Sequence, residues 1–344
     1  MPHSISTDDN ASRNQVPFWT ADNLVNTEQI PTYLFRLTAP STDGTTTESY
    51  VCPPKPLNEN FLDLERCDAV ERLLQHMEPV YGHETDCNFM SWSSSLLFLI
   101  QYAFYRYTKW WEDRDFNNIK IFVIDTRNMP KGVFAKDIDL LSVLNTACDC
   151  KSHKDLKYFN RMRNGKYYFG EYLTQGGLDL LNGECIHVNF REMMDLDKRN
   201  WSKWANPVMW SRTHLYYRNN APPASKEEVY AAIAIAKTLF DGPWSLHVAA
   251  MLLGFKPRQR NDPVILKFFM EEYGEDIIRD IRSQELIIDS KRLPEVEQYQ
   301  NIIDDISSVV LGNDEPGFSD TDNSTDNDST SVDDLATAYE MLSM

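Results

Sequence analysis

Apolar and polar positions change rhythm along this chain, and each rhythm predicts a different element. Between Lys226 and Phe240, Val229, Ala232, Ile233, Ala236 and Leu239/Phe240 recur at helical spacing, which predicts a helix with one face turned to a core. Ser225, with Glu228 at the third helical position, makes a capping box at its start, and Gly242-Pro243 close it. Trp244 to Leu253 is apolar on most sides and reads as a buried helix. Asp262 to Tyr273, with Pro263 at a first helical position, and Glu275 to Ile281 read as two more.

The first half of the chain alternates. Pro31 to Leu37, Ile119 to Ile124 and Tyr167 to Leu173 are short runs of β-branched, aromatic and aliphatic residues, and each predicts a strand. Between them, Asp68 is placed to cap a helix carrying Val70, Leu73, Leu74 and Met77, stopped by Pro79. Cys87 to Ser95 reads as a short strand whose serines cap an apolar helix, Leu96 to Trp111. A weaker helix is expected at Ile138 to Leu144, and a basic loop from Lys151 to Lys166. Arg191 to Arg218 is rich in charge and tryptophan. Trp201, Trp204 and Trp210 are expected to pack an irregular loop onto the core.

These elements predict an α+β fold. Its parts are a flexible lead over 1–29, an α+β domain over 30–220, a helical extension over 222–305 and a disordered acidic tail over 312–344. The helical extension is expected to pack on the first domain and to carry no chemistry of its own. With 344 residues, 42% of them hydrophobic, the chain can bury a core of that size.

Charge narrows the partners. The formal net charge is −18, and nine acidic residues with no Lys or Arg lie between Gly312 and Met344. Such a chain repels phosphate backbones, which disfavours nucleic acid as a partner. The tail mixes acidic and apolar residues from Val332 onward and is expected to offer a surface to a protein partner. The six cysteines lack zinc-knuckle spacing, with only Cys148 and Cys150 close together, and no two histidines sit at ligand spacing on a helix. No metal site is expected. The polar N-terminal stretch lacks the apolar region of a signal peptide, and Leu96 to Trp111 is too short and polar to span a bilayer. A cytoplasmic or nuclear location is the expectation.

Three pieces in order carry chemistry: Arg36 in a strand, Ser91-Trp92-Ser93 where a strand runs into a helix, and Glu171 in a later strand. The order Arg, Ser-x-Ser, Glu resembles the signature of the ADP-ribosyltransferase superfamily in its cholera-toxin-like branch. The stretch from Tyr33-Leu34-Phe35-Arg36 through Ser91 to Ser95, Ile124-Asp125-Thr126 and Glu171-Tyr172-Leu173 is similar to a group of uncharacterised fungal domains with that apparent fold. The resemblance implies a split sheet with flanking helices over about residues 30–190, and NAD or a related nucleotide as ligand. It implies that Glu171 stabilises an oxocarbenium-like transition state and that Ser91 orients Glu171 and the ribose. It further implies that Arg36 meets the pyrophosphate and that Ser93 supports the local turn on the cofactor side.

The chain departs from that pattern at two places. Phe169 stands where the superfamily's transferases carry the Glu or Gln that engages an acceptor, and Trp92 replaces the middle residue of Ser-Thr-Ser. Two functions therefore stay open: a non-catalytic binding or interaction module, or an enzyme that cleaves NAD. The enzyme reading requires Arg36, Ser91 and Glu171 to meet in one cleft. Arg36 and Glu171 pointing to opposite faces of the sheet would exclude it.

Overall fold

The inner strands of the main sheet are buried on both faces, which is why Tyr33–Thr38 and Lys120–Asp125 read as near-continuous apolar runs. In a computed structural model the described residues are 15–18, 25–77, 87–145, 153–165, 167–181, 184–195, 208–216, 221–240, 242–283 and 285–312. The strands are β1 (Gln15–Val16), β2 (Tyr33–Thr38), β3 (Thr45–Thr46), β4 (Tyr50–Cys52), β5 (Phe89–Ser93), β6 (Lys120–Asp125), β7 (Ala135–Lys136), β8 (Glu171–Gly176), β9 (Leu178–Asp179) and β10 (Cys185–Asn189). The helices are α1 (Arg66–Met77), α2 (Leu96–Lys109), α3 (Asp137–Leu144), α4 (His153–Arg163), α5 (Phe190–Asp195), α6 (Val208–Tyr216), α7 (Lys226–Leu239), α8 (Pro243–Leu253), α9 (Pro263–Ser283) and α10 (Pro294–Gly312). Among the described residues none of the helices is long and apolar enough to cross a membrane.

The fold is mixed α and β with antiparallel sheets. One sheet of seven strands runs β1-β8-β5-β2-β6-β10, with β7 also on β8, and a three-stranded sheet runs β3-β4-β9. The long sheet is nearly two sheets. β2 pairs with β6 over six residue pairs, from Tyr33 opposite Asp125 to Thr38 opposite Lys120, and β5 pairs with β8 over five. Between β2 and β5 there is a single pair, Phe35 opposite Ser93.

Alternation along the strands sorts the core into layers. Tyr33, Phe35 and Leu37 of β2, with Ile121 and Val123 of β6, join one large core with α2, α7, α8, α9 and α10. Leu34 and Ile124, with Met90, Trp92 and Tyr172, face a second core toward the small sheet. Phe89 and Leu173 belong to a third, beneath α1, α3 and α4.

Several boundaries differ from the sequence reading for identifiable reasons. Asp68 lies inside the first turn of α1 and does not cap it. The expected basic loop at 151–166 contains helix α4, because Leu156 is buried under the third core and anchors the segment. The expected strand at Tyr167 starts only at Glu171. Residues 15–18 were expected in a flexible lead, yet β1 pairs with β8 and Phe18 is buried, its N–H bonded to Gly132 O at 2.7 Å. The capping box of α7 is present, with Ser225 and Glu228 as partners. Gly274 breaks α9 into the two helices expected there, with φ at 76°. Trp210 is exposed; Trp201 and Trp204, like the tail beyond 312, lie outside the described residues.

A buried ion pair helps to lock the helical region to the segment that precedes Glu171. Glu295, near the start of α10, accepts from Arg212 of α6 at 2.9 Å and from the Ser95 hydroxyl at 2.6 Å. Ser95 is also the N-cap of α2. Arg212 in turn donates to the backbone carbonyl of Tyr168. Both charged side chains are almost fully buried, 3% and 2% exposed. Removing one partner leaves the other buried and unpaired, which costs about 3–5 kcal/mol. Glu295→Ala is therefore expected to lower the unfolding free energy by about that amount in urea titrations. Ser225→Ala, at the N-cap of α7, is expected to cost about 1 kcal/mol.

Candidate functional site

The parting of β2 from β5 makes the site. Strand alternation puts Phe35, Ser93 and Glu171 on one face, through the pairs Phe35 with Ser93 and Ser93 with Glu171. By parity alone Arg36 would then lie on the other face. The sheet is not continuous there, and the Arg36 side chain enters the gap. Its Nη1 donates to the Ser91 carbonyl at 2.7 Å, at the level where the β2–β5 ladder has already ended. Arg36, Ser91 and Glu171 line one cleft of about 580 Å³. Ser91 joins the other two, its carbonyl taken by Arg36 and its hydroxyl donated to Glu171 Oε1 at 2.7 Å.

Arg36 is a buried cation without a carboxylate among the described residues. Its Nε donates to Thr46 Oγ1 at 2.9 Å, and Nη2 has only the Met90 sulfur at 3.7 Å. Burial pushes its pKa down to about 10. A guanidinium held this way, with donors to spare at a cleft wall, suits an anion.

Glu171 has the opposite environment. Its residue is 3% exposed. One oxygen takes the Ser91 hydroxyl and the other takes Arg163 Nη2 at 2.9 Å. Burial works against its charge, but the Arg163 guanidinium, His76 and the Ser91 bond outweigh it and hold the carboxyl below the usual glutamate range. Asp137, first residue of α3, sits beside the same arginine, with Arg163 Nε 3.3 Å from its Oδ2. Here burial wins over Arg163, and the nearby Glu171 charge adds to it, so the Asp137 pKa is pushed well above the usual range. Two neighbouring carboxyls are thus driven apart, one ionised and one inclined to hold its proton.

Gly170 places Glu171. Its φ is +72°, and a Cβ there would lie 2.2 Å from Ser94 Oγ and 2.9 Å from Leu293 Cδ1. Glycine is the residue that fits both the dihedral and the space. Ser93 braces the same turn, its hydroxyl donating to Phe169 O at 2.6 Å and accepting from Ser95 N–H at 3.0 Å. Those bonds use its hydroxyl within the protein. The Phe169 ring lies between the Arg163 guanidinium, 3.9 Å from its centre, and Phe98, 4.1 Å away at 14°.

Sequence reasoning missed three members of this site. Arg163 fell in a segment read as a loop. His76 has Nε2 2.8 Å from Ser91 Oγ and Nδ1 3.1 Å from Cys87 Sγ. Cys87 lies on the far side of the His76 ring and also lines the cleft. The only signal for His76 was its place on the last turn of α1, directly before the chain returns to β5. Among the described residues no group of His, Cys, Asp and Glu is arranged to hold a metal.

The family model of a domain of unknown function, DUF7587, matches residues 29–175. That stretch contains Arg36, His76, Ser91, Arg163 and Glu171 and stops before α5 and the later helices. No curated protein and no solved structure matches the chain.

Two outcomes test this geometry. Gly170→Ala must displace Ser94 or the turn, so it is expected to lower stability by more than about 1 kcal/mol in denaturant unfolding. The second concerns pH. A carboxyl whose folded pKa is depressed contributes stability that is fully present above the unfolded value, about 4.3 for glutamate, and lost as pH falls through the folded value. Glu171→Gln is thus expected to flatten the loss of unfolding free energy below about pH 4 relative to wild type.

Proposed function

We propose that this chain is an ADP-ribosyltransferase-like protein that binds NAD in the cleft between β2 and β5 and cleaves it to ADP-ribose and nicotinamide. The observation that carries the reading is the junction at Ser91, which ties the buried Arg36 and the ionised Glu171 to the two edges of one gap. Arg36 would take a phosphate of the pyrophosphate with the donors it does not spend on Thr46 and Ser91. Glu171 would lie beside the ribose.

As the bond between nicotinamide and ribose breaks, positive charge develops on the ribose ring, as in glycoside hydrolysis. A carboxylate that stays ionised and is preorganised by Ser91 stabilises that charge without reorganising. Water then adds to the anomeric carbon and loses a proton, and nicotinamide leaves with the bonding electrons. Phe169 supports water as the nucleophile. Its ring is stacked between Arg163 and Phe98 and has no group to orient a protein acceptor.

One observation favours the second reading, nucleotide binding without turnover. Arg163 is paired with Glu171 at 2.9 Å, a cation held where positive charge would develop. Turnover requires it to move away.

The purified chain incubated with NAD, with nicotinamide release followed by chromatography, decides between the two. The enzyme reading expects release that falls by about 10²-fold or more in Glu171→Ala. It also expects Arg36→Ala to weaken NAD binding in calorimetry. Binding without release in wild type would establish the second reading. Neither binding nor release would end both.

A further inference from the structure

We propose that His76 is a positioning residue for Glu171, acting through the Ser91 hydroxyl, with Cys87 holding the far side of its ring. The inference rests on the NAD-cleaving reading of the same site and adds a residue that the Arg, Ser-x-Ser, Glu pattern does not contain.

The direction of the hydrogen-bond chain follows from its end. Ser91 has one hydroxyl proton, and an ionised Glu171 can only accept. The proton therefore lies on the 2.7 Å contact to Oε1. That leaves Ser91 Oγ with lone pairs alone for His76 Nε2 at 2.8 Å, so Nε2 must carry the donor hydrogen. His76 thus compels Ser91 to point its proton at Glu171. On the other side, Nδ1 meets Cys87 Sγ at 3.1 Å, and that sulfur also accepts from the Phe89 backbone N–H at 3.4 Å. The imidazole packs edge-on against Phe89, 5.6 Å between centres at 73°. Its side chain is 12% exposed, so it has little freedom to turn away.

The charged groups around it favour a protonated ring. Cys87 precedes β5 and Glu171 is on β8; Arg163 of α4 and Asp137 of α3 stand beyond the carboxylate. Arg36 of β2 and Asp43 of the following loop lie toward the thiol. Burial alone would lower the His76 pKa, but the Cys87 sulfur and Glu171 outweigh it and lift it to about 10. Burial likewise opposes the Cys87 thiolate, and His76 outweighs it, so the thiol pKa is lowered. The ring is therefore a cation 3.7 Å from Glu171 Oε1 as well as a hydrogen-bond donor to Ser91.

Two measurements on the full chain test this. The first is steady-state NAD cleavage by wild type, His76→Ala and His76→Gln, with thermal unfolding to establish that each folds. The expected result for His76→Ala is kcat lower by about 10²-fold with KM for NAD little changed. The acid limb of kcat should move to higher pH, since Glu171 loses a neighbouring cation. His76→Gln, whose amide can donate to Ser91, should regain part of kcat. A folded His76→Ala with wild-type kcat and an unmoved acid limb would overturn the proposal, as would a change in KM alone.

The second measurement needs no turnover and so separates failure of this inference from failure of the NAD reading. In protein labelled with ¹⁵N-histidine, His76 should titrate well above an ordinary histidine, and its midpoint should fall in Glu171→Gln and in Cys87→Ala. If wild type cleaves no NAD but these shifts appear, the positioning role stands and the reaction assignment fails. If His76 titrates like a solvent-exposed histidine and is indifferent to Glu171→Gln, the positioning role fails.

Discussion

Everything at this site depends on β2 and β5 parting after a single residue pair. Had the ladder continued, the Ser91 carbonyl would face a backbone donor, and Arg36 would stay on the face that alternation assigns it. Because it stops, the carbonyl takes the guanidinium at 2.7 Å, and a cation and a carboxylate from opposite pleats come to share one gap. A buried polar group without a partner is costly. The Arg36–Ser91 bond is thus both the closure of an interrupted ladder and the link between the two halves of the site.

Charge is distributed in the cleft so that its two ends differ. Near Arg36 there is a guanidinium with no described carboxylate, an arrangement that burial penalises and that a bound anion would relieve. Near Glu171 there is an excess of cation, from Arg163 and His76, which keeps the carboxylate ionised. Asp137 shares Arg163 with Glu171 yet is pushed the other way by burial. Arg163 is consequently poised between two carboxyls only one of which holds a full charge.

The helices beyond residue 222 are part of the same architecture. Their apolar faces and the β2 and β6 side chains form one core, and the Arg212–Glu295 pair reaches the N-cap of α2 and the Tyr168 carbonyl. The segment from Tyr168 to Gly170 aims Glu171, so the later helices bear on the orientation of a residue more than a hundred positions earlier in the chain. The match to the domain of unknown function covers the site and ends before these braces.

The sequence by itself determined what local chemistry governs. The capping box at Ser225, the apolar stripe of α7, the break at Gly274 and the strand cores of β2, β5 and β6 depend on near neighbours and on side-chain period, and they were legible. A resemblance in order and type singled out Arg36, Ser91 and Glu171, and the structure brings the three to one cleft. Strand β8 was misjudged by four residues at its start, since Tyr167 to Phe169 are as apolar as a strand but Gly170 turns the chain at a positive φ. Helix α4 was hidden by its polarity, because Leu156, its one buried anchor among the described residues, meets a core built by α1, α3 and the sheet. Only the tertiary structure could bring Arg163 and His76 to Glu171. Their approach is decided by how α4 and α1 pack against β8 and β5, and long-range packing leaves no mark in the spacing of residues along the chain.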